Sequence, residues 1–152
     1  MQFNELISPE RSAFHVAASS KKRALQELSS KLADPDHGLS EDEVFLGLLE
    51  REKLGSTGVG LGVAIPHGRI KGNREARAAF ISLATPVDFD SIDNQPVDLI
   101  IGLLVPEHYT DEHLAVLASL AEIFSDTAFC QRLRAAASDK ECFALLSQQT
   151  NA

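Results

Sequence analysis

"VDLIIGLLVP", residues 97–106, is an almost unbroken apolar run with a single charged residue, Asp98. A strand with one wet face alternates apolar and polar residues, whereas a strand covered on both faces does not. The run is too short to span a bilayer as a helix. It therefore predicts a central strand with packing layers on both sides. The rest of the chain has to supply those layers.

Helical spacing appears on either side of it. In "SKKRALQELSSKLA", 20–33, Ala24, Leu25, Leu28 and Leu32 fall on one face, and Lys21, Lys22 and Lys31 are expected to face water. Ser40 followed by Glu43 is a capping-box signature. The helix it opens carries Val44, Phe45, Leu48 and Leu49 on its inner stripe and runs to about Leu54, with Gly55 as its stop. Beyond the central run, Thr110 caps a helix from Asp111 whose inner face is read as Leu114, Leu117, Ala121 and Phe124. Two more helices follow, at about 126–136 with Phe129 and Leu133, and at 139–148 with Phe143 and Leu146 behind a second Ser-x-x-Glu cap, Ser138 and Glu141. Strands are expected at 12–18, from Gly62 to Pro66, and at 76–84, where Ala79, Ile81 and Leu83 share a face. The turn-rich stretch 87–96 joins that last strand to the central run. The economical assembly is an α+β fold: a single domain over 1–152, built as a three-layer α/β/α sandwich with a central mixed β-sheet.

Length and composition agree with one domain that has its own core. The 152 residues are 44% hydrophobic and 24% charged, ordinary for a globular chain. Fourteen basic against 22 acidic residues give a net charge of −8, which opposes unspecific binding to nucleic acid. No apolar stretch is long enough for a membrane span, and the N-terminus does not read as a leader. A cytoplasmic protein is expected. Cys130 and Cys142 stand twelve residues apart in helical patterns, with no Cys-x-x-Cys motif, and read as free buried thiols.

Several chemistries fail on spacing. The glycines 55, 58, 60 and 62 lack the Gly-Lys-Ser/Thr ending of a phosphate-binding loop, and they lead from a helix into a strand, the reverse of a dinucleotide site. His108 and His113 have no familiar zinc spacing, and no Gly-x-Ser-x-Gly elbow exists. Asp88 and Asp90 read as a solvated loop. No metal and no cofactor is expected.

One residue stays unexplained by packing. "GVAIPHGRI", 62–70, carries an apolar strand to Pro66 and then displays His67 before a glycine. A neutral imidazole is a competent nucleophile toward phosphorus, and phosphoryl transfer asks the protein chiefly for alignment and for donors to three oxygens. Candidate donors are close in sequence: the hydroxyls of Ser56 and Thr57, backbone N–H groups of the glycine loop, and the guanidinium of Arg51 on the last turn of the preceding helix. His113, in the first turn of its helix, has the positive end of a helix dipole beside it. His15, His37 and His108 read as structural or exposed.

The segment "REKLGSTGVGLGVAIPHGRI", 51–70, closely resembles the active-site segment of the fructose/mannitol-type IIA components of the bacterial phosphoenolpyruvate-dependent phosphotransferase system. "FDSIDNQPVDLIIGLLVP", 89–106, looks most like the nitrogen-related branch of that family. The resemblance spans about residues 3 to 148. It implies the family's mixed sheet between helical layers. It implies that His67 is phosphorylated on Nε2, that Arg51 neutralises phosphoryl charge and that His113 orients the group, with Ser56 and Thr57 lining the same pocket. The implied donor is NPr, a relative of HPr carrying its own phosphohistidine. The nitrogen branch implies a regulator whose phosphorylation state governs binding to proteins such as potassium transporters or sensor kinases. A sugar-specific IIA, passing the group to a cysteine of a IIB component, is the alternative.

Overall fold

Among the described residues, six strands form one mixed sheet around the apolar run. The computed structural model describes residues 3–73, 75–108 and 111–149. The strands are β1 (Ser12–Val16), β2 (Gly58–Gly60), β3 (Val63–Ala64), β4 (His67–Arg69), β5 (Arg77–Val87) and β6 (Val97–Val105). Their order is β1-β5-β6-β3-β2, and β4 also pairs with β6. β6 runs antiparallel to β5 and parallel to β3 and β4. The remaining pairs are β1 with β5, parallel, and β2 with β3, antiparallel.

The two faces of β6 explain its composition. Leu99, Ile101, Leu103 and Val105 enter one core with residues of α3 (Asp111–Ile123), α4 (Thr127–Ala135) and α5 (Asp139–Ser147). Ile100 and Leu104 enter a second core with α1 (Lys21–Leu32) and α2 (Glu41–Lys53). Each leucine or isoleucine so buried contributes about 1.5–3 kcal/mol. The lone charge in the run, Asp98, is bridged by Arg134 of α4, whose Nε and Nη2 donate to its carboxylate at 2.9–3.1 Å. On the α1 side the packing is close. A Cβ on Gly102 would stand 2.6 Å from Leu28 Cδ2, so a larger residue there overpacks the core, at a cost of about 1–3 kcal/mol.

The expected caps at Ser40 and Ser138 form. The Ser40 and Ser138 hydroxyls accept the N–H groups of Glu43 and Glu141 at 3.1 Å, and Asp126 caps α4 through Ala128 and Phe129. Each such cap is worth about 1 kcal/mol. Ala79, Ile81 and Leu83 do share a face of β5, toward α1 and α2. Asp88 and Asp90 are exposed, Asp90 N–H donating to the Asp88 carboxylate. Cys130 and Cys142 are buried, free thiols; burial pushes both up, Cys142 to about 11.

Three expectations need correction. The inner face of α3 is His113, Val116 and Leu120; of the expected line, Phe124 is buried and Leu117 packs half-buried on the same core, whereas Leu114 is 51% exposed and Ala121 faces solvent. Both lines of the helix are apolar, so periodicity alone does not fix its rotation. The strand does not end at Pro66. Ile65 and Pro66 leave the ladder, and the chain continues as β4 along β6 in the register that β3 began. Proline has no N–H to give, but its carbonyl still serves: it accepts from Leu103 N at 2.9 Å. Lys21 does not face open water: its side chain is 22% exposed and lies over the Phe89 ring. The expected cap at Thr110 lies outside the described residues.

Candidate active site around His67

His67 opens β4 opposite Leu103 of β6. Paired residues on neighbouring strands point to one face, and Leu103 packs in the α3–α5 core. The imidazole therefore faces the α3 side, half-buried. Gly68 points the other way, onto the backbone of α2 at Gly47. The ring's Nδ1 lies 3.0 Å from the carbonyl oxygen of Ile65. A carbonyl only accepts, so Nδ1 carries the proton and Nε2 carries the lone pair. Burial holds the ring's pKa below the ordinary histidine value, and the nearby Arg51 charge adds to this; the Ile65 hydrogen bond and the Glu52 charge pull the other way. The outcome is a neutral imidazole with Nε2 unprotonated.

The last turn of α2 brings two charges, Arg51 and Glu52, within electrostatic reach of the ring. Arg51 commits one N–H, at Nη1, to the Gly55 carbonyl at 2.8 Å, which fixes the guanidinium over the loop. Its neighbour Glu52 is turned inward, 7% exposed. The Glu52 carboxylate accepts the Thr57 N–H at 2.9 and 3.0 Å and the Thr57 hydroxyl at 2.6 Å. Lys21, from the start of α1, stands 3.8 Å from the same carboxylate and donates to the Phe89 carbonyl. The Ser56 hydroxyl donates to that carbonyl at 2.7 Å and accepts from Gly58 N. Thus Arg51 and His67 are electrostatic neighbours, while the hydroxyls of Ser56 and Thr57 are engaged inside the loop that carries them.

His113 stands on the first turn of α3, 7% exposed, on the sheet face toward which His67 points. It also lines an open cleft of about 760 Å³ together with Gly72, Asn73, Glu107 and His108, whose lining does not include His67 or Arg51. The other histidines are apart from this arrangement: His37 is 82% exposed and paired with Asp34, and His15 stacks on Phe14.

Two charged residues beside the site, Glu52 and Lys21, are not picked out by the sequence motifs. A signal for Glu52 does exist: Val44, Leu48 and Glu52 continue one buried line of α2 at four-residue spacing. Among the described residues no group of three or more His, Cys, Asp or Glu is placed to hold a metal ion, and no single helix is long and apolar enough to cross a membrane. What the arrangement can do is present a neutral nucleophilic nitrogen, with a cation beside it, to an electrophile that becomes anionic on transfer.

Comparison with known proteins gives the setting. Residues 5–149 match the family model described as phosphoenolpyruvate-dependent sugar phosphotransferase system, EIIA 2. The chain is 45% identical over 149 residues to a nitrogen regulatory protein of Klebsiella oxytoca, covering 97% of this chain and 91% of that one. It is 44% identical over 148 residues to that of Escherichia coli K12, covering 97% and 90%. The crystal structure of nitrogen regulatory protein IIA-Ntr from Neisseria meningitidis superposes with a TM-score of 0.85 at 43% identity, over 94% of this chain and 97% of that one. IIA mannitol from Escherichia coli shares the fold, with a TM-score of 0.70 at 24% identity, over 92% and 98%.

Proposed function

This chain belongs to the EIIA 2 family of the phosphoenolpyruvate-dependent sugar phosphotransferase system, and from that premise we propose that it is a nitrogen-related phosphocarrier and regulator, phosphorylated reversibly on His67 Nε2. The observation that carries the reading is the 3.0 Å hydrogen bond from Nδ1 to the Ile65 carbonyl, which leaves Nε2 as the nucleophile. The Nε2 lone pair forms a bond to the phosphorus of the donor's phosphohistidine. The donor's P–N bond breaks, and its ring leaves with that electron pair. The Nδ1 proton stays in place, and the positive charge spreading over the His67 ring strengthens its bond to Ile65 O.

Arg51 serves twice. Before transfer its charge disfavours the protonated imidazole, keeping His67 nucleophilic. During and after transfer the same charge faces phosphoryl oxygens, where a fixed cation in a partly dry site is worth most. His113 orients the group from the first turn of α3, next to the positive end of that helix. Ser56 and Thr57 shape the pocket by tying down its loop. The donor is an NPr/HPr-like phosphocarrier in a cytoplasmic setting. The phosphorylation state then selects binding to proteins such as potassium transporters or sensor kinases. Identities of 43–45% to nitrogen regulatory proteins support the regulatory branch.

The test is to incubate the chain with phosphoenolpyruvate, the nitrogen-branch Enzyme I and NPr. An acid-labile, base-stable phosphoryl group is expected on the wild type and none on His67→Ala. Label that survives His67→Ala overturns the assignment. Onward transfer to a IIB cysteine would support the sugar-transport reading instead.

A further inference from the structure

A continuous line of hydrogen bonds leads from a buried carboxylate to the reactive ring. Glu52 lies on the inward line of α2 and is 7% exposed. A carboxylate in that position has to be satisfied by hydrogen bonds and a counter-charge. Both are present: the N–H and hydroxyl of Thr57 converge on it, and Lys21 approaches from α1. This clamp fixes the peptide of Thr57. The Thr57 carbonyl accepts from Ile65 N at 3.0 Å. The Ile65 carbonyl, at the other end of the same residue, accepts from His67 Nδ1 at 3.0 Å. Glu52, Thr57, Ile65 and His67 are thus linked in series across α2, the loop and the strand track.

We propose that Glu52 is a positioning residue for His67. It holds Thr57, Thr57 holds Ile65, and the Ile65 carbonyl selects the Nδ1–H tautomer that leaves Nε2 ready to accept a phosphoryl group. The inference rests on the reading of His67 as the acceptor. It adds a residue that does not touch the phosphoryl group but sets the identity of the nucleophilic nitrogen. Two further features follow from the same geometry. Arg51 adjoins Glu52 on the last turn of α2 and is anchored to Gly55, inside the loop that Glu52 clamps. Lys21 joins the carboxylate to Phe89, to which Ser56 is also bonded, so one ion pair braces both sides of the loop.

The experiment combines nitrogen NMR of the His67 ring, recorded without any donor, with single-turnover transfer from phosphorylated NPr. Wild type and Thr57→Ser, which keeps the hydroxyl donor, are expected to hold the Nδ1–H tautomer. Glu52→Gln, which removes the charge at constant shape, is expected to give mixed tautomers. Its saturating transfer rate should fall roughly tenfold, as misplacement of a reacting group by a fraction of an ångström does, with the half-saturating donor concentration unchanged. Thr57→Val should move both readouts in the same direction by less. A folded Glu52→Gln protein with the wild-type tautomer and rate overturns the proposal. Where Glu52→Gln fails to fold, Thr57→Val decides by the same two readouts. If the wild type accepts no phosphoryl group at all, the proposed function falls while the ring spectra still judge the role of Glu52.

Discussion

His67 and His37 are held alike and differ in what holds them. Each has its Nδ1 bonded to one oxygen, 3.0 Å from the Ile65 carbonyl in the first case and 2.8 Å from the Asp34 carboxylate in the second. At His37 the carboxylate bond and its charge raise the pKa above the ordinary value. At His67 burial outweighs the neutral carbonyl and lowers it. Bonds of similar length therefore favour a cation at the surface and a neutral nucleophile at the strand. What makes an imidazole reactive is the charge of the acceptor and the dryness of the site, more than the hydrogen bond itself.

The strongest way to break this contrast is to remove the cation beside the half-buried ring. Arg51→Ala should slow phosphoryl acceptance by roughly a hundredfold, the scale of losing one oriented electrostatic contact. Its melting temperature should barely move, because the guanidinium's bond is to a loop carbonyl. The His67 pKa should rise in the same variant, read by NMR titration, since the Arg51 charge lowers it.

A second test uses pH. Because the His67 pKa is lowered, the fraction of neutral ring should stay high as pH falls through about 6.5, where an ordinary histidine is half protonated. Proton NMR of His67 and His37 in one sample should show His37 titrating at the higher pH. The linked effects on stability have opposite signs. For His37, raised on folding, the contribution is complete below about pH 6.5 and is lost as pH rises through its folded pKa. For His67, lowered on folding, it is complete above about pH 6.5 and is lost as pH falls toward its folded pKa. Melting curves of His37→Gln and His67→Gln against pH should each lose one of these slopes; a shared slope would refute the contrast.

The smallest effect is expected from Asp34→Asn. The His37 pKa should fall toward the ordinary value while that of His67 stays put, because Asp34 acts on His37 and has no part in the shift at His67. Transfer to His67 should be unchanged.

Much of this architecture is legible in the order of residues. The unbroken run at 97–106 and the serine caps at 40 and 138 mark the layers, because burial on two faces and an N-cap leave direct traces on residue type. His67 stands out because a histidine between proline and glycine has no packing reason to be there. The rotation of α3 does not, since Leu114–Leu117–Ala121–Phe124 and Val116–Leu120–Phe124 are both apolar and only packing chooses between them. Choosing the second line turns His113 inward. The carbonyl partner of His67 leaves no trace either, being backbone. Lys21 reads as solvent-facing from its charge and its place in the helical pattern. Its approach to Glu52 is a contact between two helices that neither helix announces by itself.

The buried thiols give the molecule a gauge of its own motion. Cys130 and Cys142 sit in α4 and α5, held protonated and out of reach of reagents. An alkylating agent can mark them only during moments when that helical layer lifts from the sheet. The rate of marking therefore counts those openings. Compared with and without a phosphoryl group on His67, it would say whether an event at one end of β4 tightens or loosens the helices packed on the same side of the sheet.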